Sequence, residues 1–145
     1  MEIDGKIKFR DSAYIGSETR IIVGNDASLE IGSNFTVTSC SSIIVMNKVV
    51  FGNNVLMSWE VLLLDTDFHH IIQIDSNKIN MNKKPIIIGN HVWIGCRVTI
   101  LKGSIIDDDS VIGAGSVVSD IFDRKNILIA GVPARIMRNQ ISWCE

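Results

Sequence analysis

The chain has 145 residues, is 46% hydrophobic, and carries 14 basic against 16 acidic residues, for a formal net charge of −2. A chain of this length and apolar content can bury one core without disulfides, so we expect residues 1–145 to form a single domain. The near-neutral charge gives no electrostatic reason to expect nucleic acid or an anionic membrane surface as a partner.

The N-terminal stretch "MEIDGKIKFR" lacks the apolar centre of a signal peptide. No run approaches the roughly 20 apolar residues of a membrane span. We therefore expect a soluble, cytoplasmic protein with no transmembrane segment. The three cysteines are far apart and form no C-x-x-C pair, so we expect free thiols and neither a disulfide framework nor a thiolate zinc site.

Abundant isoleucine and scattered glycine run through the whole chain, and the first half also contains a repeat. The sequence holds 25 isoleucines, 11 glycines and 2 prolines, a composition typical of short strands joined by tight turns. Aliphatic or aromatic residues recur every six positions in three successive frames, and each new frame starts two residues late. The members are Val23 and Leu29, then Ile31, Val37 and Ile43, then Phe51, Met57 and Leu63.

The stretch "DTDFHHI" (65–71) ends this pattern and concentrates ionisable side chains. If it is extended, Asp65, Asp67 and His69 lie on one face, while His70 lies on the other. Either carboxylate could then orient the imidazole of His69 as a general base. The polar segment that follows, "QIDSNKINMNKK" (73–84), has no repeat, so we expect an excursion loop near 72–86.

The period returns without interruption in the second half of the chain. Every sixth residue from Ile88 is aliphatic, namely Ile88, Ile94, Ile100, Ile106, Ile112 and Val118. This pattern, with no sustained helical stripe, predicts an all-β solenoid over about 15–120 in which each hexad is one strand and one corner. Glycine and asparagine in "GND", "GNN" and "GNH" would serve corners that need unusual dihedral angles.

The stretches "PIIIGNHVWIGCRVTILKGSIIDDDSVIGAGSVV" (85–118) and "IAGVPARIMR" (129–138) resemble the hexapeptide-repeat acyltransferases, and "DTDFHHI" with its polar loop resembles the capsule- and lipopolysaccharide-type O-acetyltransferases. The resemblance implies a left-handed parallel β-helix of about five coils with a short C-terminal helical cap over about 133–143. It also implies a homotrimer with active sites between subunits, and acetyl transfer from acetyl-CoA to a carbohydrate hydroxyl in polysaccharide biosynthesis. No metal is required.

The same resemblance assigns roles to individual residues. In such enzymes a catalytic histidine precedes the tryptophan of a "VWIG" motif by 24 positions, which is the interval from His69 to Trp93. Trp93 would line the thioester or acceptor site. A backbone N–H near Gly95 and Cys96 would bind the oxyanion. Cys96 as a covalent nucleophile is the sharper alternative. Of the two carboxylates, we expect Asp67 to orient the base and Asp65 to contact the acceptor.

The coenzyme contacts carried over from the family lie further along the chain. Ala114 would let the pantetheine arm approach closely, and Arg135 and Arg138 would meet the phosphates. The sequence departs from the family pattern after "SVV", where Ser119 and Asp120 replace a Thr-Lys pair. A carboxylate there would repel phosphate, so this contact is not carried over.

Three other functions are consistent with parts of the sequence. An amino-sugar N-acetyltransferase would share every motif above. A non-catalytic scaffold would share the solenoid but would not need the tryptophan interval. A γ-carbonic-anhydrase-like zinc enzyme would need His69, His70 and His91 to converge, which adjacent histidines on opposite strand faces do not favour.

Overall fold

In a computed structural model, the described residues 1–144 form 21 β-strands and no helix. The strands before the excursion are β1 (Glu2–Ile3), β2 (Lys6–Phe9), β3 (Ala13–Ile15), β4 (Arg20–Val23), β5 (Ser28–Ile31), β6 (Phe35–Val37), β7 (Ser42–Val45), β8 (Lys48–Phe51), β9 (Leu56–Met57) and β10 (Leu62–Leu64). Those that follow are β11 (Ile72–Gln73), β12 (Lys78–Ile79), β13 (Ile86–Ile88), β14 (Trp93–Ile94), β15 (Thr99–Leu101), β16 (Ile105–Ile106), β17 (Val111–Ile112), β18 (Val117–Val118), β19 (Ile121–Phe122), β20 (Ile127–Gly131) and β21 (Ala134–Asn139).

The strands build three parallel sheets that form the sides of a triangular prism. Sheet A has the order β1-β4-β7-β10-β15-β18, sheet B the order β2-β5-β8-β13-β16-β19, and sheet C the order β3-β6-β9-β14-β17-β20-β21. Apart from β21, which pairs antiparallel at the edge of sheet C, each sheet takes one strand from each of six coils, where five were expected. The extra coil comes from residues 2–15, which the sequence pattern leaves outside the solenoid.

The six-residue column forms the core of the prism. Ile94, Ile100, Ile112 and Val118 are fully buried, and so are Val37, Ile43 and Leu63 of the earlier frames. Ile100 pairs in register with Leu63 below it and with Val118 above it. Burying a side chain of this size contributes roughly 1.5–3 kcal/mol, so the stacked column is the main source of the fold's stability.

The glycines of "GND", "GNN" and "GNH" allow close approach between coils and do not have unusual dihedral angles. A Cβ on Gly52 would lie 2.6 Å from the carbonyl carbon of Gly89 in the next coil. The positive φ instead falls two residues later, on Asp26, Asn54 and His91 of "GND", "GNN" and "GNH". The corners between sheets B and C, where Asn54 and His91 lie, also carry a side-chain ladder between coils. The N–H of Ser33 donates to Asn53 Oδ1 at 2.9 Å, and the N–H of Asn53 donates to Asn90 Oδ1 at 2.9 Å.

The expected excursion leaves the prism at the A–B corner, between β10 and β13. It contains an antiparallel hairpin, β11 with β12, in which Ile72 pairs with Ile79. Its base is closed by an antiparallel bridge between Thr66 and Lys83. The repeat resumes when Ile88 pairs with Phe51 of the coil below, so the excursion is inserted without disturbing the register of sheet B.

The predicted C-terminal helical cap over 133–143 is wrong. Residues Ala134–Asn139 form β21, which turns back and pairs antiparallel with β20 at the edge of sheet C. A strand forms here because β20 would otherwise have an unpaired edge at the end of sheet C. The side chains of Ile127 and Ile129 on β20 are buried in the core, so β20 is fixed in place for β21 to pair with. None of the described residues belongs to a helix that could cross a bilayer.

Candidate active site

The histidine pair follows a tight turn and not an extended strand. Thr66 Oγ1 accepts the N–H of Phe68 at 2.8 Å, Phe68 has a positive φ of 60°, and the N–H of His69 donates to the Asp67 carbonyl at 2.7 Å. Alternation therefore breaks down between residues 65 and 69. The expectation that Asp65, Asp67 and His69 share one face is wrong for this reason.

Asp65 is fully buried beneath the turn. Its Oδ1 accepts the N–H of Met46 at 2.7 Å, and its Oδ2 accepts the N–H of Asn47 at 2.8 Å. Burial raises the pKa of the Asp65 carboxyl, although these N–H donors act in the opposite direction. Asp65 therefore does not make the predicted contact with an acceptor. Both of its carboxylate oxygens accept backbone N–H groups at the A–B corner of the coil below.

Asp67 is accessible, but its partners are not the expected ones. Its Oδ2 lies 2.9 Å from the ammonium of Lys102 in the next coil and accepts a hydrogen bond from Asn80 Nδ2 at 3.2 Å. Lys102 also donates to the carbonyl of Met81 at 3.0 Å. Asp67 therefore joins the turn to the hairpin and the solenoid, and the carboxylate makes no hydrogen bond to His69 within residues 1–144.

The two histidines differ in what holds them. His70 Nδ1 lies 3.3 Å from the carbonyl of Asn80, inside the excursion. His69 is exposed, and its ring makes no hydrogen bond with the described part of the chain. Of the pair, His69 is the one whose imidazole is available to a ligand.

Trp93 lies on β14 of sheet C and is 39% exposed. Its indole N–H donates to Ser58 Oγ at 3.3 Å. Trp143 lies 6.1 Å from it between ring centroids and stacks at 4.3 Å on His91. The three tryptophans Trp59, Trp93 and Trp143 line a cleft of about 480 Å³. The sequence does not predict the place of Trp143, because a tryptophan beyond the last strand carries no repeat position.

Gly95, Cys96 and Ala114 are brought together at the C–A corner. The N–H of Gly115 donates to the Cys96 carbonyl at 2.9 Å, and a Cβ on Gly95 would lie 2.8 Å from the Ala114 nitrogen. The N–H of Gly95 already donates to Ile112 in the strand ladder at 2.8 Å. The Cys96 N–H has no acceptor within residues 1–144, so Cys96 and not Gly95 can offer a donor to a ligand.

Arg135 and Arg138 both project from the outer side of sheet C. Three residues apart on a regular strand they would face opposite sides. A β-bulge shifts the register between Leu128 and Ile129, so that Arg135 pairs with Ala130 and Arg138 with Leu128. Ala130 and Leu128 are two residues apart on β20 and face the same side, so both arginines face that side as well. Both arginines are exposed.

Asp120, the departure from the family pattern, lies 3.8 Å from the guanidinium of Arg135. The carboxylate therefore faces a positive charge in this chain. Asp120 follows β18, the last strand of sheet A, and precedes β19 of sheet B.

The catalytic and coenzyme residues lie at different corners of one chain. His69 follows β10 at the A–B corner, whereas Cys96 and Ala114 lie at the C–A corner, across the width of sheet A. The six residues from Cys96 to Lys102, which contacts the His69 turn, span on the order of 15–20 Å. A single copy therefore does not bring His69 next to Cys96.

No group of three or more His, Cys, Asp or Glu side chains in residues 1–144 is arranged to hold a metal ion. His91 Nδ1 instead lies 2.9 Å from the carboxylate oxygen Oδ1 of Asp109, at the B–C corner. The three histidines therefore do not converge.

Comparisons of the sequence and of the structure with known proteins point to the same family. A family model described as bacterial transferase hexapeptide (six repeats) matches residues 85–120. The galactoside O-acetyltransferase of Escherichia coli K12 is 40% identical over 114 residues, which are 77% of this chain and 54% of that enzyme. The chain thus spans about half the length of this relative.

Two solved structures share the fold. A galactoside acetyltransferase in complex with coenzyme A is 35% identical with a TM-score of 0.78, covering 92% of this chain and 64% of that chain. The polysialic acid O-acetyltransferase OatWY is 30% identical with a TM-score of 0.81, covering 96% of this chain and 70% of that chain. These matches confirm the predicted left-handed parallel β-helix. The chain belongs to the hexapeptide-repeat acyltransferase family.

Proposed function

We propose that the chain is an acetyl-CoA-dependent O-acetyltransferase that modifies a hydroxyl of a bacterial glycan. The observation that carries the proposal is the combination of an exposed imidazole at His69 with a backbone N–H at Cys96, on a corner shared with Ala114, neither of which has a hydrogen-bond partner within residues 1–144. These are the base and the oxyanion donor that acyl transfer needs. The similarity to enzymes named as galactoside and polysialic acid O-acetyltransferases supports a carbohydrate acceptor.

The proposed reaction proceeds by direct transfer. His69 removes the proton of the acceptor hydroxyl as its oxygen attacks the thioester carbonyl, and the negative charge on that carbonyl oxygen is stabilised by the Cys96 N–H. The tetrahedral intermediate collapses with loss of the coenzyme thiolate. The imidazolium of His69 then gives its proton to the thiolate, so the enzyme returns to its starting state and the ester carries the acetyl group.

The active site is proposed to form between copies of the chain in a homotrimer. Proton transfer requires about 2.6–3.2 Å between His69 and the acceptor oxygen. That oxygen must simultaneously reach a thioester held at the Cys96 corner. The two corners are separated by the width of sheet A, so His69 of one copy must meet the C–A corner of another. Trp93, exposed on sheet C, would then line the space between the two copies.

The coenzyme is proposed to lie along the C–A corner. Ala114 is exposed there and leaves room for the pantetheine arm, and Gly95 permits the close packing of the two coils. Arg135 and Arg138 lie on β21, the edge strand of sheet C, and are proposed to bind the coenzyme phosphates through their guanidinium groups. Because the proposed donor is a cytoplasmic metabolite, the reaction is proposed to take place in the cytoplasm.

The test is thiol release from acetyl-CoA with a panel of mono- and oligosaccharide acceptors, for wild type, His69→Ala and His70→Ala. We expect His69→Ala to lose roughly 100- to 10,000-fold in kcat and His70→Ala to lose less than tenfold. Analytical ultracentrifugation of the same samples should give a trimer. Loss of activity in His70→Ala with an active His69→Ala would overturn the assignment of the base.

A further inference from the structure

A lysine from the next coil, Lys102, helps to fasten the excursion (residues 65–85) to the solenoid. Lys102 Nζ lies 2.9 Å from Asp67 Oδ2 and 3.0 Å from the carbonyl oxygen of Met81. One ammonium therefore contacts the chain on both sides of the hairpin, at Asp67 before β11 and at Met81 after β12. The Lys102 side chain is only 18% exposed, so water and salt screen this ion pair less than they would a surface pair.

Asn80 completes the fastening from within the excursion. Its Nδ2 donates to the same Asp67 oxygen at 3.2 Å, and its Oδ1 accepts the N–H of Ile71 at 2.7 Å. Its backbone N–H donates to the Ile71 carbonyl at 3.0 Å, and its carbonyl lies 3.3 Å from His70 Nδ1. All four hydrogen-bonding groups of Asn80 are thus used to hold residues 67–71.

His69 lies between the two points that this network fixes. On one side is Asp67, held by Lys102 and Asn80, and its carbonyl also accepts the His69 N–H at 2.7 Å. On the other side is Ile71, held twice by Asn80. The backbone at His69 is therefore determined by contacts that its own side chain does not make. The imidazole stays exposed and has no hydrogen-bond partner among the described residues 1–144.

We propose that Lys102 and Asn80 are positioning residues for His69, and that the Asp67 carboxylate serves this clamp and does not orient the imidazole. The clamp consists of Lys102, Asp67 and Asn80. The inference rests on the proposed function for the role of His69, but the clamp itself is a property of the excursion. The sequence predicts that Asp67 orients the imidazole directly. In the proposed clamp, Asp67 instead positions His69 by fixing the backbone of residues 67–71.

The chemistry of each member fits this role. A lysine ammonium has three donors and no acceptor, so it can bind the Asp67 carboxylate and the Met81 carbonyl at once. The carboxylate can accept from Lys102 and Asn80 on one oxygen. Lys102→Met would keep an apolar stem but would lose both contacts. Errors of about 1 Å in the position of a catalytic group can cost 100-fold in rate, so loss of the clamp should be visible in kcat.

The test compares wild type, Lys102→Met, Asp67→Lys, Asn80→Ala and the exchanged pair Asp67→Lys with Lys102→Glu. Lys78→Met is the matched control, because Lys78 lies on β12 in the same excursion and makes no ion pair within residues 1–144. Two readouts are taken: kcat and KM for acetyl-CoA and for an accepted sugar, and hydrogen–deuterium exchange of segment 65–84. The second readout does not depend on activity.

We expect Lys102→Met and Asn80→Ala to lower kcat about 10- to 100-fold with the KM for acetyl-CoA unchanged. Exchange should become faster in 65–84 and stay the same in the rest of the solenoid. The exchanged pair should regain at least about tenfold in kcat over Asp67→Lys, since it restores the ion pair with its polarity reversed. Lys78→Met should match wild type in both readouts.

Unchanged exchange in 65–84 for Lys102→Met would overturn the clamp whatever the activity. An exchanged pair that regains slow exchange but stays as inactive as Asp67→Lys would show that the Asp67 carboxylate acts on the imidazole, which overturns the assignment of Asp67. Failure of the proposed function has a separate signature: wild type would release no thiol with any acceptor, while the exchange results would still test the clamp.

Discussion

The N–H of Gly115 donates to the carbonyl of Cys96 at 2.9 Å, which holds the corners of two successive coils in line. Ala114, next to this bond, is exposed at the edge where the coenzyme is proposed to lie. The spacing of the two corners is therefore set by the backbone, and the side chain at position 114 determines how closely a ligand can approach it.

Ala114→Phe should raise the KM for acetyl-CoA by at least about tenfold, equivalent to about 1.4 kcal/mol of binding, because the ring would occupy the path of the pantetheine arm. Steady-state kinetics with varied acetyl-CoA measures this. Ser17→Phe is the control, since Ser17 occupies the same corner position in the first coil and is also exposed. An equal rise in KM for both variants would contradict the proposed coenzyme path.

Arg138→Ala should raise the KM for acetyl-CoA about tenfold and leave the reaction with acetyl-pantetheine unchanged. The reason is that the bulge puts Arg138 on the same outer side as Arg135, where both can face the phosphates that acetyl-pantetheine lacks. Comparison of the two donors at low ionic strength provides the measurement. An equal loss with both donors would mean that Arg138 supports the fold of the hairpin and does not meet phosphate.

Asp120→Asn should lower the KM for acetyl-CoA by about two- to fivefold, because its carboxylate competes with phosphate for Arg135 at 3.8 Å. The effect is small since both side chains are well exposed and water screens the pair. It should shrink further as salt is added. Asp123→Asn, at a nearby exposed aspartate with no ion pair within residues 1–144, should leave the KM unchanged.

The fold was predictable where each coil repeats the one below. Ile100 stacks between Leu63 and Val118 of the neighbouring coils, so a column read at six-residue intervals becomes a physical column of the core. The first coil was missed because it lies at the end of the prism, where residues such as Phe9 are 43% exposed and the pattern of burial fades. The C-terminal helical cap implied by the family resemblance does not form, because Ala134–Asn139 pair with the edge strand β20.

The site was predictable to a lesser degree. The positions of Cys96 and Ala114 follow from the repeat, since both occupy the same corner in adjacent coils. The His69 turn does not repeat, and its shape depends on the Thr66 hydroxyl and on a positive φ at Phe68. Lys102 contacts Asp67 from the following coil, a pairing that no local spacing reveals.

Asp65→Ala should lower the free energy of unfolding by about 2 kcal/mol, because the N–H groups of Met46 and Asn47 would lose their acceptor. Asp65→Asn should cost less, since its amide keeps one acceptor oxygen. Urea unfolding followed by circular dichroism gives both values. Asp123→Ala is the control, and an equal change in Asp123→Ala and Asp65→Ala would refute the anchoring role of Asp65.

Asp108→Asn should destabilise the protein at pH 7 but not at strongly acidic pH. Lys125 at 2.8 Å and the N–H of Asn90 at 2.7 Å hold the pKa of the Asp108 carboxyl below its usual range. A lowered folded-state pKa stabilises the folded state above the ordinary value of about 3.9, and this contribution is lost as the pH falls through the folded pKa. Urea unfolding from pH 2 to 7 should therefore give curves for wild type and Asp108→Asn that separate above about pH 4 and draw together below it. A gap that stays constant with pH would mean that the carboxylate charge contributes nothing, and that the variant is destabilised only by its altered hydrogen bond to Asn90.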